Sequence, residues 1–373
     1  MADTGATSHP GWEVWGKSER KTILDSGRWR SLRPLDGGGP RFSRGGTEVV
    51  SFASNDYLGL SQHPDVKSAA ARALDRLGTG SGSSRLIVGD RPLHHSLEEA
   101  LADWRGTESA LVFPTGYQAN IAAMTTFGAG ARIVSDELNH ASLIDGARLA
   151  RADVAVYRHG DLDHARSLVC SAEGRVLVVS DSVFSMDGDV APVVGLSEIC
   201  ARHGALLVLD DAHAVFPLDE PDPEALVVRI GTLSKALGSQ GGYIAASRDW
   251  IELLVNRARP FIFTTGLAPA SAAAALEAVR ISRSEEGSLL RKRLRERIDM
   301  VRAEHPSPVV PLILGSEEAA VAASNNLLDQ GLLVPAIRPP TVPPGTSRLR
   351  VSLSAAHETS DVALLRDALT RLL

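Results

Sequence analysis

Ala205-Leu206-Leu207-Val208-Leu209-Asp210-Asp211-Ala212-His213 reads as a strand with no polar side chain until its end, where two carboxylates and an imidazole arrive together. A second, mostly apolar run follows, Ala225-Leu226-Val227-Val228-Arg229-Ile230. It closes on Gly231-Thr232-Leu233-Ser234-Lys235-Ala236-Leu237-Gly238, which delivers a lysine amine. Near-continuous apolar runs of this length suit strands buried on both faces, as in a parallel sheet covered by helices. Open α/β sheets bind ligands along the carboxyl ends of their strands. The lysine, the carboxylates and the imidazole are therefore expected on one edge.

Outward from this pair the alternation continues. Strand-like runs fall at 110–113, 132–135, 154–157, 176–180, 206–210, 227–230 and 243–246. Helical patterns lie between most of them, at 118–126, 141–150 and 194–202 among others, and earlier helices are expected at 13–29, 64–77 and 95–105. Such alternation predicts a mostly parallel, doubly wound sheet of seven strands. The first ten residues are small and polar and read as frayed, and Gly37-Gly38-Gly39-Pro40 breaks regular structure before a short strand at 49–52. After residue 269 the character changes to helices at 270–282 and 285–304, then strand 309–314, helix 317–330, strands 332–337 and 348–353, and helix 360–372. The chain thus divides into an N-terminal segment (1–49), a large domain (50–269) and a small C-terminal α+β domain (270–373).

The bulk properties exclude several classes. A net charge of −6 with no basic tract speaks against a nucleic-acid partner. Cys170 and Cys200 stand apart without metal-ligand spacing, so no metal site or disulfide framework is expected and a reducing cytosol fits. No apolar stretch near the start reads as a secretory signal, and none approaches a membrane span. The reading is a soluble, cytoplasmic protein with a core easily filled at 373 residues.

Each expected strand end offers a group with chemistry. Thr115-Gly116-Tyr117 turns into a helix whose first N–H groups suit a phosphate, although such helix starts are common. His140 could stack on a planar ring or cap the next helix. Ser185, in Phe184-Ser185-Met186-Asp187-Gly188-Asp189, could reach a phosphate or sit in an ordinary Asp-Gly turn. Asp210 at the end of a buried strand calls for a partner, and a protonated pyridine nitrogen would serve; the alternative is a helix N-cap. His213 would point the same way and could bond a phenolic oxygen. Singly each feature has an ordinary structural reading. Together they match what pyridoxal 5'-phosphate (PLP) requires: a Schiff-base lysine, a carboxylate for the ring nitrogen and a phosphate seat.

These residues carry a resemblance. Along nearly its whole length the chain resembles the α-oxoamine synthases, PLP enzymes of the aspartate-aminotransferase fold (fold type I). The matching stretches are Ser54-Asn55-Asp56-Tyr57-Leu58-Gly59-Leu60, Gly80-Ser81-Gly82-Ser83-Ser84-Arg85, Thr115-Gly116-Tyr117-Gln118-Ala119-Asn120, His140-Ala141-Ser142-Leu143, Val183 through Asp189, Asp210 through His213 and Ser234 through Gly238. Ala336 through Pro343 and Arg350 through Glu358 point to the branch that joins L-alanine to a pimeloyl thioester for biotin synthesis. The resemblance implies that Lys235 anchors PLP and removes the Cα proton. It implies that Asp210 holds the ring nitrogen, His213 the phenolic oxygen and His140 the ring face. Gly116, Tyr117, Ser185 and Thr232 would hold the phosphate region, and Thr264 or Thr265 would reach the phosphate of a neighbouring subunit in a homodimer. Arg350 would clamp the substrate carboxylate, with Arg30, Asn55 and Ser354 on the substrate side. The acyl group would arrive on coenzyme A or on an acyl carrier protein.

The resemblance breaks after His213. The family's glycine-rich loop is replaced by the shorter, proline-rich Ala214-Val215-Phe216-Pro217-Leu218-Asp219-Glu220-Pro221-Asp222-Pro223. Two alternatives stay open at this point: an α-oxoamine synthase using glycine, serine or another acyl thioester, and a fold-type-I aminotransferase without thioester chemistry.

Overall fold

A computed structural model of the chain describes residues 11–372. The reading of the first ten residues lies outside them. The two apolar runs are neighbouring parallel strands, Leu206–Asp210 and Leu226–Thr232, with Asp210 opposite Ile230. Leu207, Val208 and Leu209 have no solvent exposure. Each such side chain contributes about 1.5–3 kcal/mol of burial free energy relative to exposure.

Across the sheet the order is Ser109–Phe113, Gly242–Ala246, Leu226–Thr232, Leu206–Asp210, Val176–Asp181, Arg132–Asp136 and Asp153–Tyr157, seven strands in all. Gly242–Ala246 runs antiparallel to both its neighbours, and the remaining pairs are parallel. Helices cover the sheet, and some of them are started by a side-chain cap. The helix Gly116–Phe127 is capped by Thr115, whose hydroxyl accepts from the Gln118 N–H, and the helix Leu162–Cys170 by Asp161. The loop between Pro64–Leu77 and Pro92–Arg105 is fixed by Arg85, which bonds Asp90 at 2.6 Å and pairs with Glu98.

The terminal parts of the chain meet. Asp36–Gly37, Arg41–Arg44 and Thr47–Ser51 form an antiparallel meander, and Leu332–Leu333 joins it in parallel register beside Thr47–Ser51. The expected division at residue 49 therefore falls inside a strand that ties the N-terminal segment to the C-terminal part. Only the last of these three N-terminal strands was expected. The two-residue loop Gly45-Gly46 was the overlooked hairpin signal.

A second correction concerns 332–337, read as one strand. It is two short ones on different sheets. Leu332–Leu333 pairs with Thr47–Ser51, whereas Ala336–Ile337 pairs with Ser347–Ser352 in a three-stranded sheet completed by Val309–Gly315. Pro335 lies between them and cannot donate to a ladder, so the strand ends and changes partners there; its carbonyl instead accepts from the Arg350 N–H at 3.1 Å.

The turn that carries Lys235 is pressed into the Asn55–Leu60 segment. Gly238 has φ +59°, and a Cβ there would lie 2.2 Å from the Ser61 nitrogen. Only glycine meets both conditions. Gly238→Ala is expected to cost about 1–3 kcal/mol of stability, read as a lower urea midpoint; an unchanged midpoint would show that this contact does not constrain the turn.

Candidate active site

The expected edge exists. A cavity of about 240 Å³ opens at the carboxyl ends of the strands, lined at one end by Asp181 and Asp210, in the middle by Lys235, His213 and His140, and at the other end by Thr115, Gly116, Tyr117, Thr232 and Ser234. Asp181 and Asp210 end adjacent parallel strands in register. Asp210 is held by the Ala212 N–H at 3.0 Å and the Asn120 Nδ2 at 2.6 Å. Burial raises the Asp181 carboxyl well above the usual carboxylate range, and the neighbouring Asp210 charge adds to this.

Lys235 Nζ lies 2.9 Å from His213 Nε2, and His213 Nδ1 lies 2.6 Å from the Tyr57 hydroxyl. Burial pushes the Lys235 amine below its ordinary range, against the pull of Asp210 and Asp181. Burial also pushes His213 well down, and the Lys235 and Arg350 charges reinforce it. A neutral imidazole can accept at Nε2 the hydrogen bond that the Lys235 amine donates, and so orient it. His140 caps the helix Ala141–Ala150 at the cavity mouth, and partial burial lowers its pKa.

Beyond Tyr57 the network reaches Arg350. The Asn55 Oδ1 accepts from the Tyr57 hydroxyl at 3.1 Å and from Arg350 Nη1 and Nη2 at 3.2 Å each. Arg350 is 5% exposed and also donates to the Ser185 carbonyl and the Ser352 hydroxyl. Among the described residues no carboxylate pairs with it. A buried cation without a counter-ion is costly and fits an anion from outside the chain.

Not every expected residue reaches the cavity. Ser185 lies on the Arg350 side through its carbonyl, away from the Gly116–Thr232 end, so the structure does not place it in a phosphate seat. The Ser354 hydroxyl donates to the Asp56 carbonyl at 2.7 Å, and Ser354 is not among the residues lining the cavity. Arg30 lines a separate cleft with Arg28, Trp29 and residues 336–341. Thr264 accepts from the Gln118 amide at 3.1 Å and, like Thr265, is not among the residues lining the cavity in this subunit. The loop after Ala214 also stays out of the cavity. It covers a different cleft, pinned where Arg229 bonds Asp211 at 3.0 Å and Glu220 at 3.1 Å.

Conversely, Asp181, Asn120, Ser142, Ala212 and Ser234 line the cavity without having been singled out. Asp181 ends an apolar strand just as Asp210 does, so the same signal could have found it. Asn120 and Ser142 give no such signal, because each is a polar residue inside a helix.

The donor set fits PLP. Asp181 Oδ1 and Asn120 Oδ1 are buried without hydrogen-bond partners among the described residues, and with Asp210 they form an acceptor-rich end for a protonated ring nitrogen. At the other end the first N–H groups of the helix Gly116–Phe127 have no partners within the helix and favour an anion. That helix start can lie against the sheet because Gly242 has no side chain: a Cβ there would sit 2.5 Å from the Gly116 Cα. Lys235 lines the same cavity, and its amine could form the imine with the cofactor aldehyde.

Fold and site together define a fold-type-I PLP enzyme. The family model described as aminotransferase class I and II matches residues 47–369. The chain is 49% identical to 8-amino-7-oxononanoate synthase of Methylobacterium sp. (strain 4-46), with 89% of each covered, and 45% identical to that of Anaeromyxobacter dehalogenans, with 93% of this chain and 92% of the relative covered. A serine palmitoyltransferase from S. paucimobilis with bound PLP-myriocin aldimine superposes with a TM-score of 0.88 at 28% identity over 96% of each chain. The chain belongs to the class I and II aminotransferase family and, within it, to the 8-amino-7-oxononanoate synthases.

One clamp outside the cavity lining is titratable. His159 bridges Asp136 at 3.0 Å and Asp189 at 2.7 Å, and these bonds raise its pKa to about 10. Its contribution to stability is complete below its ordinary value of 6.5 and is lost as pH rises through about 10. The melting-temperature gap between the native chain and His159→Gln should therefore narrow steadily across that window; a gap independent of pH would show that the imidazolium form does not hold the clamp.

Proposed function

We propose that the protein condenses L-alanine with a pimeloyl thioester, releasing 8-amino-7-oxononanoate, CO2 and the free carrier thiol, with the cavity residues in the following roles. PLP, when bound, supplies an aldehyde carbon that forms imines with amines and a cationic ring that takes up the electron pair left at the substrate Cα. Asp210 keeps the ring nitrogen protonated, and the Gly116 and Tyr117 N–H groups with Thr232 seat the phosphate. Lys235 accepts the alanine Cα proton, a role favoured by the burial that lowers its pKa. His213 orients that amine through its Nε2. The Cα bonds to the thioester carbonyl carbon as the C–S bond breaks, the expelled thiolate takes its proton from water, and Lys235 returns its own proton to the Cα as CO2 departs.

The observation that carries this reading is Arg350, a buried guanidinium with no acidic partner among the described residues, joined to Lys235 through Asn55, Tyr57 and His213. It offers an amino-acid carboxylate a charge-assisted seat close to the reacting amine. The preference for alanine and a pimeloyl group rests on relatives at 45–49% identity that are named for that product. The serine palmitoyltransferase likeness, at 28% identity, favours serine and a longer acyl chain less strongly. In a homodimer Thr264 and Thr265 would complete the phosphate seat of the neighbouring subunit. Coenzyme A or an acyl carrier protein would carry the acyl group.

Supplied with pimeloyl-coenzyme A and alanine, glycine or serine in separate assays, the PLP-loaded protein should release thiol and aminoketone with alanine. Response to glycine or serine alone would overturn the assignment. Lys235→Ala should lower kcat by at least about 10³-fold and abolish the protein-linked cofactor absorbance. Arg350→Lys should raise KM for alanine by about 10- to 100-fold; an unchanged KM would place the carboxylate elsewhere.

A further inference from the structure

Along the cavity wall a chain of hydrogen bonds runs from Asp210 to His140. Asn120, 3% exposed, sits in the helix Gly116–Phe127 with its Nδ2 2.6 Å from Asp210 Oδ2 and 2.7 Å from Ser142 Oγ. Ser142, fully buried, has its Oγ 2.7 Å from His140 Nδ1. We propose that Asn120 and Ser142 are positioning residues that fix His140 as the neutral imidazole protonated on Nε2 and tie its orientation to Asp210. The proposal rests on the reading of His140 and Asp210 as groups that contact the cofactor.

The hydrogen assignment follows from donor and acceptor capacity. An ionised carboxylate only accepts, so the Asn120 atom facing Asp210 is the NH2 group, and its second hydrogen goes to Ser142 Oγ. Having accepted there, the Ser142 hydroxyl directs its own hydrogen to its other neighbour, His140 Nδ1. The Ser142 backbone N–H points at the same nitrogen, 3.3 Å away. A ring nitrogen that receives two donors holds no proton, so the imidazole hydrogen stays on Nε2. Protonating Nδ1 would lose the bond from the Ser142 N–H and reverse the bond with the Ser142 hydroxyl, whose hydrogen would then lack its present acceptor.

The charges around the ring do not displace this arrangement. Asp210 and Asp145 draw the His140 pKa up, Lys235 drives it down, and partial burial lowers it most. The consequence for chemistry is directional. His140 keeps a hydrogen-bond donor on the nitrogen that is free of the helix, and any change at Asp210 is transmitted to it through one amide and one hydroxyl.

The test is a pH titration of the full chain labelled with 15N-histidine, with PLP bound and after its removal, using His140→Gln to assign the His140 signals. The native chain should show the Nε2–H tautomer alone at neutral pH. Ser142→Ala should show a mixture of tautomers and a His140 pKa raised by roughly half to one unit, and Ser142→Thr should restore the native pattern. Asn120→Ala, which frees the Ser142 hydroxyl from its fixed orientation, should also mix the tautomers. A native signal from the Nδ1–H form would overturn the proposal, and so would a tautomer and pKa unchanged in Ser142→Ala. The native measurement needs no variant to fold. Failure of the condensation assay with the expected tautomer would instead remove the functional reading and leave the positioning role intact.

Discussion

Asp181 and Asp210 end neighbouring parallel strands in register, and two buried carboxylates side by side are the constraint around which this site is arranged. Like charges this close cannot both ionise without compensation. The structure answers in two ways. Asp181 is held toward its neutral form by burial and by the Asp210 charge, while Asp210 is supported by the Ala212 N–H and the Asn120 amide. Burial lowers the Lys235 amine, and both carboxylates oppose that shift. A ligand with a protonated ring nitrogen completes this balance, which is why the PLP fit can be read from the donor set.

The same site depends on parts of the chain far apart in sequence. Lys235 touches His213, His213 touches Tyr57, and Tyr57 leads through Asn55 to Arg350 on the C-terminal sheet. These segments can be brought together because Gly238 lets the Lys235 turn lie on the Ser61 backbone. The N-terminal meander reinforces the link, since Thr47–Ser51 takes Leu332–Leu333 as its parallel neighbour. A catalytic lysine and a carboxylate clamp are thus positioned by one continuous set of backbone and side-chain contacts.

Much of this was legible in the residues. All seven strands of the main sheet lie where the apolar runs place them; the inner strands are apolar because both their faces are covered, while the edge strand Asp153–Tyr157 is mostly exposed. Lys235, Asp210, His213 and His140 line one cavity, as their positions after strand ends and turns suggested. Less legible were groups whose role depends on what faces them across the fold. Asn120 and Ser142 sit inside helices, where a polar residue ordinarily signals nothing. Ser185 and Ser354 carry suitable hydroxyls, but Ser185 meets Arg350 through its carbonyl and Ser354 spends its hydroxyl on the Asp56 backbone.

By itself the sequence determined the sheet, the edge on which its reactive groups gather and the kind of cofactor that edge accepts. Hydrophobic periodicity and strand-end chemistry are local properties of consecutive residues, so they survive without coordinates. Only the tertiary structure decided how the strand at 332–337 divides between two sheets, which carboxylate burial pushes up, and which hydroxyls face the cavity. Those outcomes depend on burial and on partners brought from distant segments, quantities that exist only once the chain has closed on itself.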